Sequence, residues 1–404
     1  MPGEATGHQH LLKDINRMAL VRYLCAKPGL SRADLATAVG LTKSTVTMLV
    51  RELLAEGWLM EREVVATGEV GRRPTPLFID PSRLLLMGAE VGIDSVRVVA
   101  TSLTGDVLAR VVTSYGTSKS ARARVGSLAA AMLKVRKQLN EREHRIIGIG
   151  VGLPGGVDEA RGFLHLAPNL QWRDVPVGAL LVARLADSTL AGIPLYLQNE
   201  ADVAAIGEME FNPSQATDPL LYLSINQGVG AGVIVGDHLL TGSRGFAGEV
   251  GHIVLQINGP MCSCGRRGCA EALIGMRSML PRAKQELASP IEEIERRLKK
   301  HDGDTVLAVK KAGGYLGVLL QNVASAYDPG CIVLGGRLVD LGEVFLASAM
   351  KTLDDYSSAA NLEPPAVRIS RFGADAVAIG AAALARYRLT RPLNSHRSVA
   401  QDVE

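Results

Sequence analysis

Aromatic residues make up only 4% of the 404 positions. Cores must therefore be built from Ala, Val and Leu with frequent glycine turns, a composition that suits α/β layers. Excess charge is also missing. With 44 Lys+Arg against 41 Asp+Glu the net charge is +3, so no global polycation points to nucleic acid. No apolar run approaches the ~18–20 residues a membrane helix needs, which argues against a membrane partner. The opening "MPGEATGHQHLLKDINRM" lacks the basic-then-apolar order of a signal peptide. Five cysteines, of which Cys25 and Cys331 stand alone, do not form a secreted disulfide framework, and a cytoplasmic protein with reduced thiols is expected. What remains is a globular chain, 47% apolar and 21% charged, too long for one core and divisible into two or three domains.

Residues 1–80 carry three helical patterns in quick succession. The first runs through "HLLKDINRMALVRYLCAK", with Leu12, Ile15, Ala19, Leu20 and Tyr23 at helical spacing. In the second, Ser31 followed by Asp34 reads as a capping box. Gly40 provides a turn, and Thr42 is a good N-cap for a third helix whose Val46, Leu49, Val50, Leu53 and Leu54 form one apolar stripe. Lys43, Ser44, Thr45, Thr47, Met48 and Arg51 are left facing outward. Two helices across a glycine turn, the second opening with small polar and basic residues, is the helix-turn-helix plan. "WLMEREVVA", "TGEVGRRP" and "TPLFID" then read as a two-stranded wing with Arg72 and Arg73 at its tip. Thr42, Lys43, Ser44, Thr45, Thr47, Arg51, Arg72 and Arg73 are the candidate DNA contacts. A plain three-helix protein-interaction module is the competing reading, since these eighty residues hold ten basic and nine acidic side chains. The acids cluster between Glu52 and Glu69, away from the first turns of the third helix, and phosphate contacts depend on few side chains.

From about Leu84 the pattern changes to strands that run into glycine loops. "LLLMGAEVGIDSVRVVATSLTGDVLARVVTSY" reads as three strands, residues 120–140 as a helix, and "RIIGIGVGLPGGVD" as a strand with a Gly/Pro loop. The plan recurs in "LLYLSINQGVGAGVIVGDHLL" and "CIVLGGRLV", which suggests two α/β lobes with a cleft between them. The expected division is a winged helix-turn-helix over 1–80, a first lobe over 81–200 and a second over 201–404, with a C-terminal helix returning to the first lobe.

These landmarks, with "GLPGGVD", "APNLQW", "QNEADVAAIGE", "GFAGEVGH", "CSCGRRGCAE" and "DPGCIVLGG", resemble the ROK family of sugar kinases and sugar-responsive repressors over nearly all of residues 10–390. The resemblance implies an actin/hexokinase-like, ribonuclease-H-like pair of lobes closing over a sugar. The N-terminal winged helix and the "GRRP" wing and linker mark the repressor branch.

His252, Cys262, Cys264 and Cys269 offer one imidazole and three thiolates, a set suited to tetrahedral zinc. Four protein ligands leave no open position, so such a Zn²⁺ is structural. A redox dithiol or metal-free thiols are the alternatives, although Cys-x-Cys is a poor match to the redox Cys-x-x-Cys spacing and leaves His252 unexplained. A DNA-binding finger is disfavoured because the cluster lies inside the α/β body. The resemblance implies that Glu249, His252 and Glu271 contact sugar hydroxyls, together with Gly156, Asn169, Asn199 and Glu200. Ordinary surface acids are the competing reading of Glu249 and Glu271.

Kinase members of the family carry Asn-Asp where this chain has Asn199-Glu200, and the aspartate is their base. They open the body with Asp-x-Gly-Gly-Thr, against Glu90-Val91-Gly92-Ile93-Asp94 here, where Ile93 replaces a glycine and Asp94 would repel phosphates. No intact catalytic residue is therefore assigned, and Glu200 marks a degenerate base position. The expectation is a sugar-responsive transcriptional repressor binding operator DNA as a homodimer or homotetramer, with a monosaccharide or sugar phosphate as effector. An ATP-dependent hexose or amino-sugar kinase fused to a DNA-binding head is the alternative, and a protein-binding head on a carbohydrate module a third.

Overall fold

The computed structural model describes residues 4–62, 75–115, 120–243, 245–280 and 290–392. The chain opens with α1 (Glu4–Ala26), α2 (Arg32–Val39) and α3 (Lys43–Glu56), followed by the antiparallel pair β1 (Leu59–Glu61) and β2 (Leu77–Ile79). The Ser31–Asp34 capping box is formed at the start of α2, and Gly40 ends that helix in the left-handed region at φ 70°. Thr42 caps α3 by accepting from the Thr45 amide. Val46, Leu49, Val50 and Leu53 of α3 are buried against α1 and α2, as their spacing requires. α1 begins at Glu4, earlier than the apolar periodicity around His10 signals. The expected wing tip, with Arg72 and Arg73, lies outside the described residues.

Two five-stranded sheets with the same connectivity follow. The first contains β3 (Leu84–Val91), β4 (Ser95–Ser102), β5 (Val107–Ser114), then α4 (Ala121–Gln138) and β6 (Arg145–Leu153). A small three-stranded sheet interrupts the path, made of β7 (Gly156–Asp158), β8 (Phe163–Ala167) and β9 (Trp172–Val175). α5 (Val177–Leu185), β10 (Leu195–Asn199) and α6 (Glu200–Phe211) complete this half. β3, β6 and β10 run parallel, with the antiparallel β4 and β5 on the other flank. The second sheet repeats the plan with β11 (Leu220–Ile225), β12 (Val229–Val235) and β13 (His238–Leu239). It continues through α7 (Ala270–Ile274), α8 (Pro290–Lys299), α9 (Gly303–Tyr327), β14 (Cys331–Gly335), α10 (Glu343–Ala359), β15 (Ala366–Ile369) and α11 (Ala376–Thr390). Here β11, β14 and β15 are parallel, and β12 and β13 antiparallel.

Two helices lie between the sheets, and small residues explain how. α11, with the run "AVAIGAAALA", packs on β3 and β6 of the first sheet and against α6, which in turn packs on β11 and β12 of the second. A Cβ at Gly150 would sit 1.8 Å from the Ala381 carbonyl oxygen, and one at Gly380 would sit 2.1 Å from that of Val203. Any side chain there would push the layers apart, so glycine sets their spacing. Among the described residues no helix is long and apolar enough to cross a membrane.

Candidate functional site

The carboxyl ends of β6 and β10 open into a cleft of about 730 Å³ between the two sheets. Open α/β sheets place ligands at this end of their parallel strands. Gly156, Asn169, Asn199, Glu200, Glu249, His252 and Glu271 all line it, so every residue expected at the sugar site converges there. They arrive from separate parts of the chain: the start of β7, the turn after β8, the junction of β10 and α6, the segment around His252, and α7.

Carboxylates dominate the chemistry of the cleft. Burial, reinforced by the charges of Glu90, Glu249 and Glu271, pushes Glu200 up to about 7. Glu249 is also raised, first by burial, with His252 opposing and Glu271 adding to the shift. Asp202, two residues further into α6 than Glu200, is buried and raised well above the ordinary range by desolvation, with Glu249 and Glu159 adding to it. The cations on this wall are Arg173, exposed on β9, and Arg266, whose guanidinium donates to Cys264 Sγ at 3.4 Å.

Asn199 is occupied structurally. Its Oδ1 accepts from the Ala201 amide, which caps α6, and its Nδ2 donates to the Gly155 carbonyl at 2.9 Å. It thus ties the β6 loop to the helix that carries Glu200. Glu271 Oε1 accepts from Ser263 Oγ at 2.7 Å, and its Oε2 lies where a Cβ on Gly228 would come within 2.8 Å. Sequence reasoning missed Asp202 and Phe246. Phe246 is 46% exposed in the cleft, and a Cβ on Gly156 would meet its ring at 2.7 Å. An exposed ring in a chain this poor in aromatics, within "GFAGE", is the signal that was available.

Behind this wall stand His252, Cys262, Cys264 and Cys269, with all four ligand atoms within 4.8 Å of one another. Cys264 Sγ and Cys269 Sγ are 3.8 Å apart, and Cys262 Sγ lies 3.7 Å from His252 Nδ1. A tetrahedral zinc with Zn–S near 2.3 Å requires sulfur–sulfur edges of about 3.8 Å, so the donor set fits such an ion. The imidazole divides its two nitrogens. Nδ1 faces the thiols, while Nε2 lies 3.8 Å from Glu249 Oε2 on the cleft side. A metal on Nδ1 leaves the proton on Nε2, pointing at the cleft.

In the head, Thr42, Lys43, Ser44, Thr47 and Arg51 are exposed and Thr45 half-buried, all on the outward side of α3. Several hydroxyls are tied locally: Thr42 Oγ1 shares hydrogen bonds with Ser44 and Thr45, and Thr47 donates to the Lys43 carbonyl. The acids are directed elsewhere. Glu52 pairs with Lys13 at 2.8 Å, Glu56 with Arg17, and Glu61 with Arg32 at 2.5 Å. Lys43 and Arg51 have no acidic partner among the described residues, so the outward face of α3 is locally positive.

Comparison with known proteins agrees with this two-part layout. The model of the ROK family matches residues 86–388, and that of a winged helix-turn-helix DNA-binding domain matches residues 13–60. The chain is 30% identical to the xylose repressor of Bacillus subtilis, over 84% of this chain and 86% of the relative. A solved ROK family transcriptional regulator, described as a homologue of the E. coli MLC protein, superposes with a TM-score of 0.75 over 95% of this chain and 98% of that one, at 22% identity. A ROK family glucokinase from Streptomyces griseus, solved with glucose and AMPPNP, gives a TM-score of 0.64 at 26% identity, covering 75% of this chain and 99% of that one. The kinase leaves a quarter of the chain uncovered, whereas the regulator spans nearly all of it.

Proposed function

The chain belongs to the ROK family, and from that membership we propose that it represses transcription in response to a neutral monosaccharide bound in the acidic cleft. One observation carries this reading: a single chain joins an outward-facing basic and hydroxyl surface on a winged helix to a carboxylate-lined sugar-sized cleft. Glu249, Glu271 and Glu200 accept hydrogen bonds from sugar hydroxyls, His252 Nε2 donates, Asn169 completes the polar wall, and Asn199 and Gly156 shape it. Asp202 adds a further acceptor and Phe246 an apolar platform for a sugar face. So many carboxylates repel a phosphate, which favours an unmodified sugar over its phosphate. Xylose is the first candidate, because the relative of similar layout is named a xylose repressor. A structural Zn²⁺ on His252, Cys262, Cys264 and Cys269 holds the Glu249–Glu271 wall in register.

Operator DNA is read by α3 through Lys43, Arg51 and the Thr42–Thr47 surface. The two-fold symmetry of typical operators suits a dimer or tetramer. Sugar and DNA sites are coupled through α6, a rod about 17 Å long with Glu200 and Asp202 at its cleft end. At the other end Glu210 receives Arg386 Nε at 2.7 Å and pairs with Arg391 at 2.8 Å. Arg386 also reaches Cys25 of α1 at 3.5 Å, and Arg22 of α1 donates to the Thr390 carbonyl at 3.0 Å. A ligand that favours one lobe arrangement thus changes the seat of the head. Affinity for the protein's own promoter region, measured with and without a panel of sugars, tests this. A sugar-dependent change supports the reading, and none across the panel defeats it.

A kinase is the second reading, favoured by Glu200, since a carboxylate at about 7 is suited to general-base work. Against it stand Ile93 and Asp94 at the position where kinases admit phosphate oxygens. A coupled ADP-release assay over the same sugars decides, and turnover near 1 s⁻¹ would establish catalysis.

A further inference from the structure

At the opposite end of the same parallel strands lies a second cavity, of about 460 Å³, whose chemistry is inverted. It is enclosed by the amino ends of β3 and β6, the turn before β10, the last turn of α4 and the carboxyl end of α3. Arg83, Arg136, Arg142, His144 and Arg145 face it. The acids on its walls are Glu56, Glu141 and Glu143, and Glu56 is already bound to Arg17. Among the described residues none of these arginines has an acidic partner.

Arg136 is the telling member. It is only 9% exposed, yet its Nη1 is buried with no hydrogen-bond partner among the described residues, and Nδ1 of the neighbouring His144 is in the same state. The carbonyl end of α4 attracts a cation in general terms, but this Nη1 donates to none of those carbonyls. A buried guanidinium group without an acceptor is costly. It is tolerated where an acceptor arrives from outside, and a guanidinium fork matches phosphate oxygens better than any other side chain does.

We infer that this pocket binds a phosphate dianion, free or as the monoester of a small metabolite. Arg136 and His144 form its floor, and the exposed Arg83, Arg142 and Arg145 close over the anion from the rim. Its volume is that of a small-ligand site. The inference stands apart from the sugar reading of the acidic cleft, since the two cavities share no residue.

Calorimetric titration of the full-length protein with inorganic phosphate, glucose 6-phosphate and glucose tests it. Both anions are expected to bind with Kd at or below ~1 mM. Tighter binding of the ester identifies a sugar phosphate as the source, and equal affinity identifies free phosphate. Heat from glucose reports the acidic cleft alone. Arg136→Gln should weaken the anions about tenfold or more. The exposed pair Arg142→Ala/Arg145→Ala should do the same without touching the core, with circular dichroism unchanged. No binding of either anion by the wild type overturns the inference, as does undiminished binding by folded Arg136→Gln and Arg142→Ala/Arg145→Ala proteins.

Discussion

The parallel strands β3, β6 and β10 end in carboxylates and begin among arginines. β6 spans nine residues, so roughly 26 Å separates a cleft ringed by Glu200, Asp202, Glu249 and Glu271 from a pocket ringed by Arg83, Arg136, Arg142 and Arg145. The charges do not neutralise each other, because the apolar core under the first sheet lies between them. What the difference teaches is division of labour by charge. Hydroxyl-rich neutral ligands suit the carboxylate end, where a phosphate would be repelled. Anionic ligands suit the arginine end, beside the head.

The strongest way to break this contrast is at the metal. Cys264→Ser removes one of the four donors placed to hold the proposed Zn²⁺. Metal analysis should show zinc lost, the melting temperature should drop by many degrees, and the sugar response should vanish while anion binding persists. A sugar response that survives without metal would separate the staple from the sensor. Next in size is Glu210→Ala, which takes the carboxylate partner from the buried Arg386 and leaves Arg391 with Asp237 alone. Losing one partner of a buried pair costs about 3–5 kcal/mol, readable by urea unfolding. The conservative Glu210→Gln should keep the fold and sugar affinity yet uncouple sugar from DNA, and full coupling in that variant would clear α6 of its proposed role.

Glu249→Ala sharpens the contrast without threatening the core. Loss of a charged hydrogen-bond partner to a hydroxyl is worth about 1.5–3 kcal/mol. Sugar affinity by calorimetry should fall on the order of 10- to 150-fold, with anion affinity unchanged. The smallest effect is on pH. Glu200 keeps its proton up to about 7 in the native state, against 4.5 ordinarily. Between those values the folded chain holds a proton that the unfolded chain has released, so stability falls as pH rises through the window and levels off above it. Glu200→Gln should flatten that part of a melting-temperature profile taken from pH 4 to 8. A profile of unchanged slope would show that the other raised acids, Asp202 and Glu249, carry it.

The paired bases of the head offer a second lesson about charge. Counting residues gave a module close to neutral, which left a protein-binding head open. In the folded chain Lys13, Arg17 and Arg32 are spent on Glu52, Glu56 and Glu61, and Lys43 and Arg51 remain outward. The pairs join residues 39 and 29 positions apart, so no local pattern could have announced them.

Much of the molecule was nonetheless legible from residue order. The Ser31 capping box, the Thr42 cap, the α3 stripe and the glycine-ended strands depend on neighbours within a few positions, and such signals survive in a linear string. The metal donors were equally plain, because three thiols within eight residues leave little freedom about where they meet. The sugar-site residues came from motif resemblance, and their convergence in one cleft is a property of the fold. Tertiary structure alone decided that Asp202 and Phe246 join the cleft, that Asn199 spends its amide on Gly155 and Ala201, and that Nη1 of Arg136 is buried without a partner among the described residues. Those facts depend on which strand ends and helix termini meet in the fold, as where Asn199 reaches Gly155 across 44 positions. Sheet pairing and glycine-close helix packing set these meetings, and no single stretch of sequence encodes them.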